Sequence, residues 1–149
     1  MKLLKVTKMQ FKELVDTYDD NVEGMEFFLN IETGEIVMLS DYGDDEEQEQ
    51  LNELVEEGFN ITYFRVPHRD SHEGYKEMVY FTDTIKDRAL QSELYEVLDG
   101  GRRIFRRFKD ELSSNKEELE RYYRYLESRN RERILDWLEA IGIQLMLVD

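Results

Sequence analysis

The sequence predicts an α+β fold: a small, mostly antiparallel sheet that includes an N-terminal hairpin, packed with several helices, and a helix-rich C-terminal half. Three observations predict it. Strand-forming residues flank the turn sequence Glu32-Thr33-Gly34, and apolar residues recur at helical spacing along most of the chain beyond residue 70. The length of 149 residues is enough for one substantial core, so a single domain over residues 1–149 is expected. Hydrophobic residues at 40% and aromatics at 12% are too many for a disordered chain, while 37% charged residues imply a heavily solvated exterior.

The first helix is expected from about Thr7 to Tyr18, where Phe11, Leu14, Val15 and Tyr18 fall on one face. Met25 to Ile31 and Glu35 to Leu39 are rich in β-branched and aromatic residues and should form the hairpin. Asp41 to Glu47 then loads acid onto the start of a helix carrying Leu51, Leu54 and Val55, which should end near Gly58. Ile61 to Val66 reads as a third strand, stopped by Pro67. Asp70 with Glu73 three residues on has the logic of a capping box. The helix it opens carries Tyr75, Met78, Val79 and Phe81, and a second helix carries Leu90, Leu94 and Val97-Leu98 up to Gly100-Gly101.

Arg102 to Leu112 starts another helix, and Leu119, Tyr122, Tyr123 and Leu126 mark one side of the next. The wholly polar run Ser128 to Arg133 predicts an exposed middle turn or a break before Ile134, Trp137, Leu138 and Ile141 resume. Gly142 should terminate that helix, and Ile143 to Val148 should close the fold as a fourth strand.

Charge is distributed unevenly along the chain. Of the formal net charge of -15, residues 1–100 hold 25 acidic and 9 basic side chains, whereas residues 101–149 hold 10 and 11. So negative a chain repels nucleic acid and anionic membranes, and phosphate binding would need a local patch. No cysteine is present, which removes disulfides and thiolate chemistry and suits a reducing compartment. The apolar run within Met1 to Val6 is too short for a signal peptide or membrane span, so a cytoplasmic protein without membrane contact is expected.

The strongest local signal is Gly100-Gly101-Arg102-Arg103-Ile104-Phe105-Arg106-Arg107-Phe108-Lys109-Asp110, with five basic side chains in eight positions and two phenylalanines between them. On a helix, Ile104, Phe105, Phe108 and Leu112 cluster on one face, which makes both phenylalanines core residues. Arg102, Arg103, Arg106 and Lys109 then turn to the rim or solvent, with Arg107 beside them. Guanidinium groups bind carboxylate and phosphate alike, so these five cations can clamp the acidic N-terminal half of their own chain, stay solvated, or hold an anionic ligand or partner. Gly-Gly-Arg-Arg is neither a phosphate loop nor a dinucleotide fingerprint.

This segment resembles the uncharacterised protein family UPF0158, small bacterial proteins without an established activity. Ile104-Phe105-Arg106-Arg107-Phe108-Lys109-Asp110 is close to the family's Ala-Phe-Arg-Arg-Phe-Lys-Asp core, and Gly101-Arg102 precede it. The chain departs at Arg103 and Ile104, where the family pattern has Gly and Ala. Weaker likeness runs through Thr33-Gly34-Glu35, Tyr75, Met78, Phe81, Arg133 and Trp137. The resemblance implies a single-domain family and brings no catalytic residues with it.

Other motifs point to less. His68 and His72 neighbour Asp70 and Glu73, but His72-Glu73-Gly74-Tyr75-Lys76 has a lysine where a zinc-protease helix needs its second histidine, so no metal is expected. Neither histidine has a glutamate three positions before it, which disfavours a di-iron bundle. Asp41 to Glu47 lacks the spacing of a calcium loop, and no Gly-x-Ser-x-Gly elbow occurs. No cofactor signature is present. Tyr122-Tyr123-Arg124-Tyr125 makes a broad aromatic face for core packing or for a homodimer or partner contact, with Arg121 and Arg124 at its rim. The reading that follows is a noncatalytic interaction or regulatory protein, which recognises an acidic or phosphate-bearing partner through the arginine-rich helix. The alternatives are a nucleic-acid-associated factor and an enzyme whose carboxylates meet only in three dimensions.

Overall fold

The computed structural model describes residues 1–20, 23–41 and 45–149. In chain order the elements are β1 (Lys2–Thr7), α1 (Lys8–Thr17), β2 (Met25–Asn30), β3 (Ile36–Ser40), α2 (Glu46–Glu57), β4 (Tyr63–Arg65), α3 (Ser71–Asp83), α4 (Arg88–Leu98), α5 (Ile104–Leu112), α6 (Lys116–Ala140) and β5 (Ile143–Val148). The fold is α+β, and the chain divides into two compact units. One comprises Met1–His68 with Asn130–Asp149, the other Arg69–Arg129.

The first unit holds all the strands. The β2–β3 hairpin is antiparallel, with Leu29 opposite Ile36 and Met25 opposite Ser40, and β4 pairs antiparallel on the other side of β2. Its turn is shaped by Asn30, whose Oδ1 accepts from the backbone NH groups of Glu32 (2.9 Å) and Thr33 (3.2 Å). β4 is shorter than the strand expected over Ile61 to Val66. The reason is local: the NH groups of Ile61 and Thr62 are spent on the Gly58 carbonyl at 3.0 and 2.8 Å, closing a turn before the ladder begins.

The single, mostly antiparallel sheet expected from the sequence is instead two sheets. β5 does not join the hairpin; it pairs in parallel with β1, from Lys2 opposite Ile143 to Thr7 opposite Val148. β1 itself was not anticipated, because Lys2–Thr7 is short and only Leu4 and Val6 alternate inward. Pairing between the two ends of the chain depends on everything folded between them, so no local pattern encodes its direction.

Thr7 closes α1 with a reciprocal cap, its Oγ1 accepting from the Gln10 NH at 3.0 Å and its own NH donating to Gln10 Oε1 at 2.9 Å. Asp45 caps α2 by accepting from the Gln48 NH at 2.9 Å, and Glu46, Glu47 and Glu49 occupy the acidic first turn. Tyr42, Gly43 and Asp44, part of the acidic stretch expected to lead into that helix, lie outside the described residues. The core of this unit gathers Leu4, Val6, Leu14, Tyr18, Leu29, Ile31, Val66, Ile134, Leu138 and Ile143, with Phe28, Val55 and Tyr63 in a smaller cluster.

The second unit is helical. Asp70 caps α3 through the Glu73 NH at 2.7 Å, and Asp87 caps α4 through the NH groups of Ala89 and Leu90. Met78, Phe81, Ile85, Leu90, Leu94, Leu98, Phe108, Leu112 and Tyr122 form its core. Tyr122 packs edge-on to Phe81 at 5.0 Å and lies 5.3 Å from Phe108, so it is a core side chain rather than a contact surface. Tyr123 alone of that pair stays exposed.

Of the exposed middle turn or break expected in α6, the break does not occur, and Ser128, Arg131 and Glu132 are exposed. The helix runs unbroken through Ser128 to Arg133, and Asn130 within that polar stretch is 2% exposed. Asn130 lies four and eight residues before Ile134 and Leu138, on their stripe, and its Nδ2 donates to Asp19 Oδ2 at 2.6 Å within the first unit. A satisfied amide can occupy an apolar stripe, and hydropathy alone does not register it.

Candidate functional site

The arginine segment lies wholly in the Arg69–Arg129 unit and is built on an unusual backbone. α4 ends at Asp99, after which Gly100 and Gly101 take φ values of +143° and +106° and Arg103 takes +58°. Gly101 is required by its φ, which excludes ordinary side chains, and a Cβ there would stand 2.8 Å from Arg107 Nη2, so that the guanidinium would have to shift. Arg103 sits in the left-handed region immediately before α5 and makes no side-chain cap. A glycine would adopt that conformation without strain.

Arg107 holds this loop in shape. Its Nε donates to the Arg102 carbonyl at 2.8 Å, its Nη2 to the Gly100 carbonyl at 2.6 Å, and its backbone NH to the Arg103 carbonyl at 2.9 Å. One planar guanidinium thus satisfies two carbonyls of a turn that has no ladder to satisfy them. Arg107 is half-buried, with Nε and Nη2 both committed to the loop.

The remaining cations behave differently. Arg102, Arg103, Arg106 and Lys109 are exposed, and none makes an ion pair with a described residue of its unit. The phenylalanines also part company. Phe108 is fully buried, but Phe105 is 45% exposed, against the expectation that both are core. Phe105 lies about 60° around the helix from Phe108, on the flank of the Ile104, Phe108 and Leu112 stripe. Its ring edge rests against the α3 backbone at Gly74, where a Cβ would come within 3.0 Å of Phe105 Cε1.

One charged cluster escaped sequence reasoning altogether. Glu77 of α3, 1% exposed, faces Arg69 with Oε2 to Nε at 2.8 Å and Arg129 with Oε1 to Nε at 3.9 Å. The available signal was a carboxylate on the buried stripe of α3, three residues beyond Gly74 and four before Phe81. Arg121, expected at the rim of the tyrosine face, is internally engaged: it chelates Glu118 at 2.7 and 3.2 Å, donates to Thr84 Oγ1 at 2.8 Å, and lies 4.4 Å from the centre of the Phe81 ring.

Two open hollows lie in the same unit. The larger, of about 870 Å³, runs along α3 and α4 between Arg88 and Asp99 and is lined by Tyr75, Val79, Gln91 and Tyr95. Tyr95 donates to Asp83, and that bond raises its pKa. The smaller, of about 410 Å³, includes Asp87, Glu93, Asn115 and Lys116. The Glu93 carboxyl is raised by a hydrogen bond and charge repulsion from Glu111, with smaller contributions from desolvation and from Asp87. The Glu93 carboxyl lies at an open surface rather than in a closed pocket. His68 and His72 are both exposed, His68 ahead of α3 and His72 in its first turn. Among the described residues no group of three or more histidines and carboxylates is placed to hold a metal, and no helix is long and apolar enough to cross a membrane.

The model of the uncharacterised protein family UPF0158 matches residues 5–149, essentially the whole chain, which therefore belongs to that family. No curated protein matches it, and no solved structure does.

Proposed function

We propose that this member of UPF0158 is a noncatalytic interaction or regulatory protein of the cytoplasm, whose arginine segment recognises an acidic or phosphate-bearing partner. The observation that carries this reading is the set of four exposed cations, Arg102, Arg103, Arg106 and Lys109, left without an ion pair in their unit while the chain as a whole has net charge -15. Where carboxylates outnumber cations so heavily, cations grouped on one short segment and kept out of internal pairs are available to an external anion. Arg107 supports the site from beneath by fixing the loop that bears Arg102 and Arg103. The cysteine-free composition suits the compartment.

The test is binding of two labelled polyanions, poly-glutamate and inorganic polyphosphate, to the native chain and to an Arg102→Ala, Arg103→Ala, Arg106→Ala, Lys109→Ala variant, with Arg107 left in place. Circular dichroism first establishes that the two chains fold alike. Binding of at least one polyanion, lost in the variant and weakened by salt, is the expected result. Equal binding by both chains, or none by the native chain, would overturn the proposal.

A further inference from the structure

We infer that the arginine segment binds single-stranded nucleic acid, with a base stacked on Phe105 and neighbouring phosphates on Arg102, Arg103, Arg106 and Lys109. This deepens the reading above and rests on it. Phe105 distinguishes a nucleotide from any other anion. Its ring is 45% exposed and its Cε1 edge is seated against Gly74; Lys109 lies one helical turn on, Arg106 follows on the adjoining flank of α5, and Arg102 and Arg103 stand in the loop that leads into the helix. A ring fixed along one edge loses little freedom when a planar partner stacks on it, and every base offers such a plane. A poly-glutamate chain has no aromatic ring to stack there; any apolar residue at 105 would serve it equally.

Local charge is compatible with this. The Arg69–Arg129 unit contains 14 acidic and 13 basic side chains, a net of -1, whereas the other unit contains 21 and 7, a net of -14. The chain's negative charge is therefore carried almost entirely by residues outside the unit that bears the site. Four cations suffice for a few nucleotides and not for an extended tract, so the interaction is short and salt-sensitive.

The experiment measures fluorescence anisotropy of labelled 12-nucleotide oligo(dT) and oligo(U), with labelled poly-glutamate and polyphosphate in parallel, against the full-length chain. Binding of an oligonucleotide with a log-log salt slope of about -3 is expected if all four cations contact phosphates. Phe105→Leu keeps an apolar side chain over Gly74 but removes the ring, and should weaken oligonucleotide binding about tenfold. Phe105→Trp should retain it. Oligonucleotide binding unchanged in Phe105→Leu, or poly-glutamate bound as tightly as the oligonucleotides, would overturn the inference. If polyanions bind through the four cations but insensitively to residue 105, the anion-binding reading stands and this one falls. If the native chain binds no anion at all, both fall.

Discussion

Replacing Glu77 with glutamine removes the buried negative charge that faces both Arg69 and Arg129, at nearly constant volume. The carboxylate is 1% exposed and the Arg69 side chain 12%, so neither group recovers full hydration when the other is altered. At about 4 Å and an effective dielectric of 20, each charge pair is worth about 4 kcal/mol before desolvation is subtracted. Breaking a buried pair while leaving the guanidinium in place costs about 3–5 kcal/mol net. For a chain of this size that corresponds to a fall in Tm of roughly 10 °C. Thermal unfolding followed by circular dichroism measures it, and urea titration gives the same free energy independently. Converting Arg69 and Glu77 together to methionine should recover part of the loss, because the stranded charge at position 69 then goes too. A Glu77→Gln variant melting within about 2 °C of the native chain would refute the reasoning, since a cost that small is what exposed ion pairs show.

Arg103→Gly relieves a left-handed residue, and should raise stability by about 0.5–1 kcal/mol in urea unfolding while weakening polyanion binding through loss of one cation. Gly101→Ala forces a Cβ toward Arg107 Nη2 at a φ of +106°, and should cost about 1–2 kcal/mol in the same assay. Glu93 titrates above its ordinary value of 4.5 in the folded chain because of Glu111. Its contribution to stability is therefore complete below that value and lost as pH rises through the raised one, and Glu93→Gln should flatten that stretch of a stability-against-pH profile. Thr7→Ala removes the side-chain half of the cap on α1 and should cost about 1 kcal/mol, measured by thermal melts.

Local chemistry determined much of this fold before any tertiary contact was known. Thr7 and Asp70 mark helix starts through their capping side chains, Gly58 ends α2 where a Cβ would crowd Tyr63, and the turn between β2 and β3 falls on Glu32-Thr33-Gly34 because that composition specifies a turn. The arginine segment was legible as a run of cations after two glycines, but the helix expected from Arg102 starts only at Ile104, because Arg103 takes a left-handed backbone, and Arg102 and Arg103 lie in the loop before it. The sequence thus identified the candidate site and the family.

Other features depended on partners distant in the chain. Parallel pairing of β1 with β5 joins the two ends, and Asn130 and Glu77 are buried because partners elsewhere satisfy an amide and a carboxylate on otherwise apolar stripes. Within the site, five cations look alike in sequence. Backbone geometry turns Arg107 inward onto the Gly100 and Arg102 carbonyls and leaves the other four exposed. Phe105 and Phe108 likewise share one helical face by spacing. Gly74 on another helix gives the Phe105 ring a seat at the surface, while the aromatic core encloses Phe108. Periodicity determines which residues share a face; only packing against other elements decides which of them are covered.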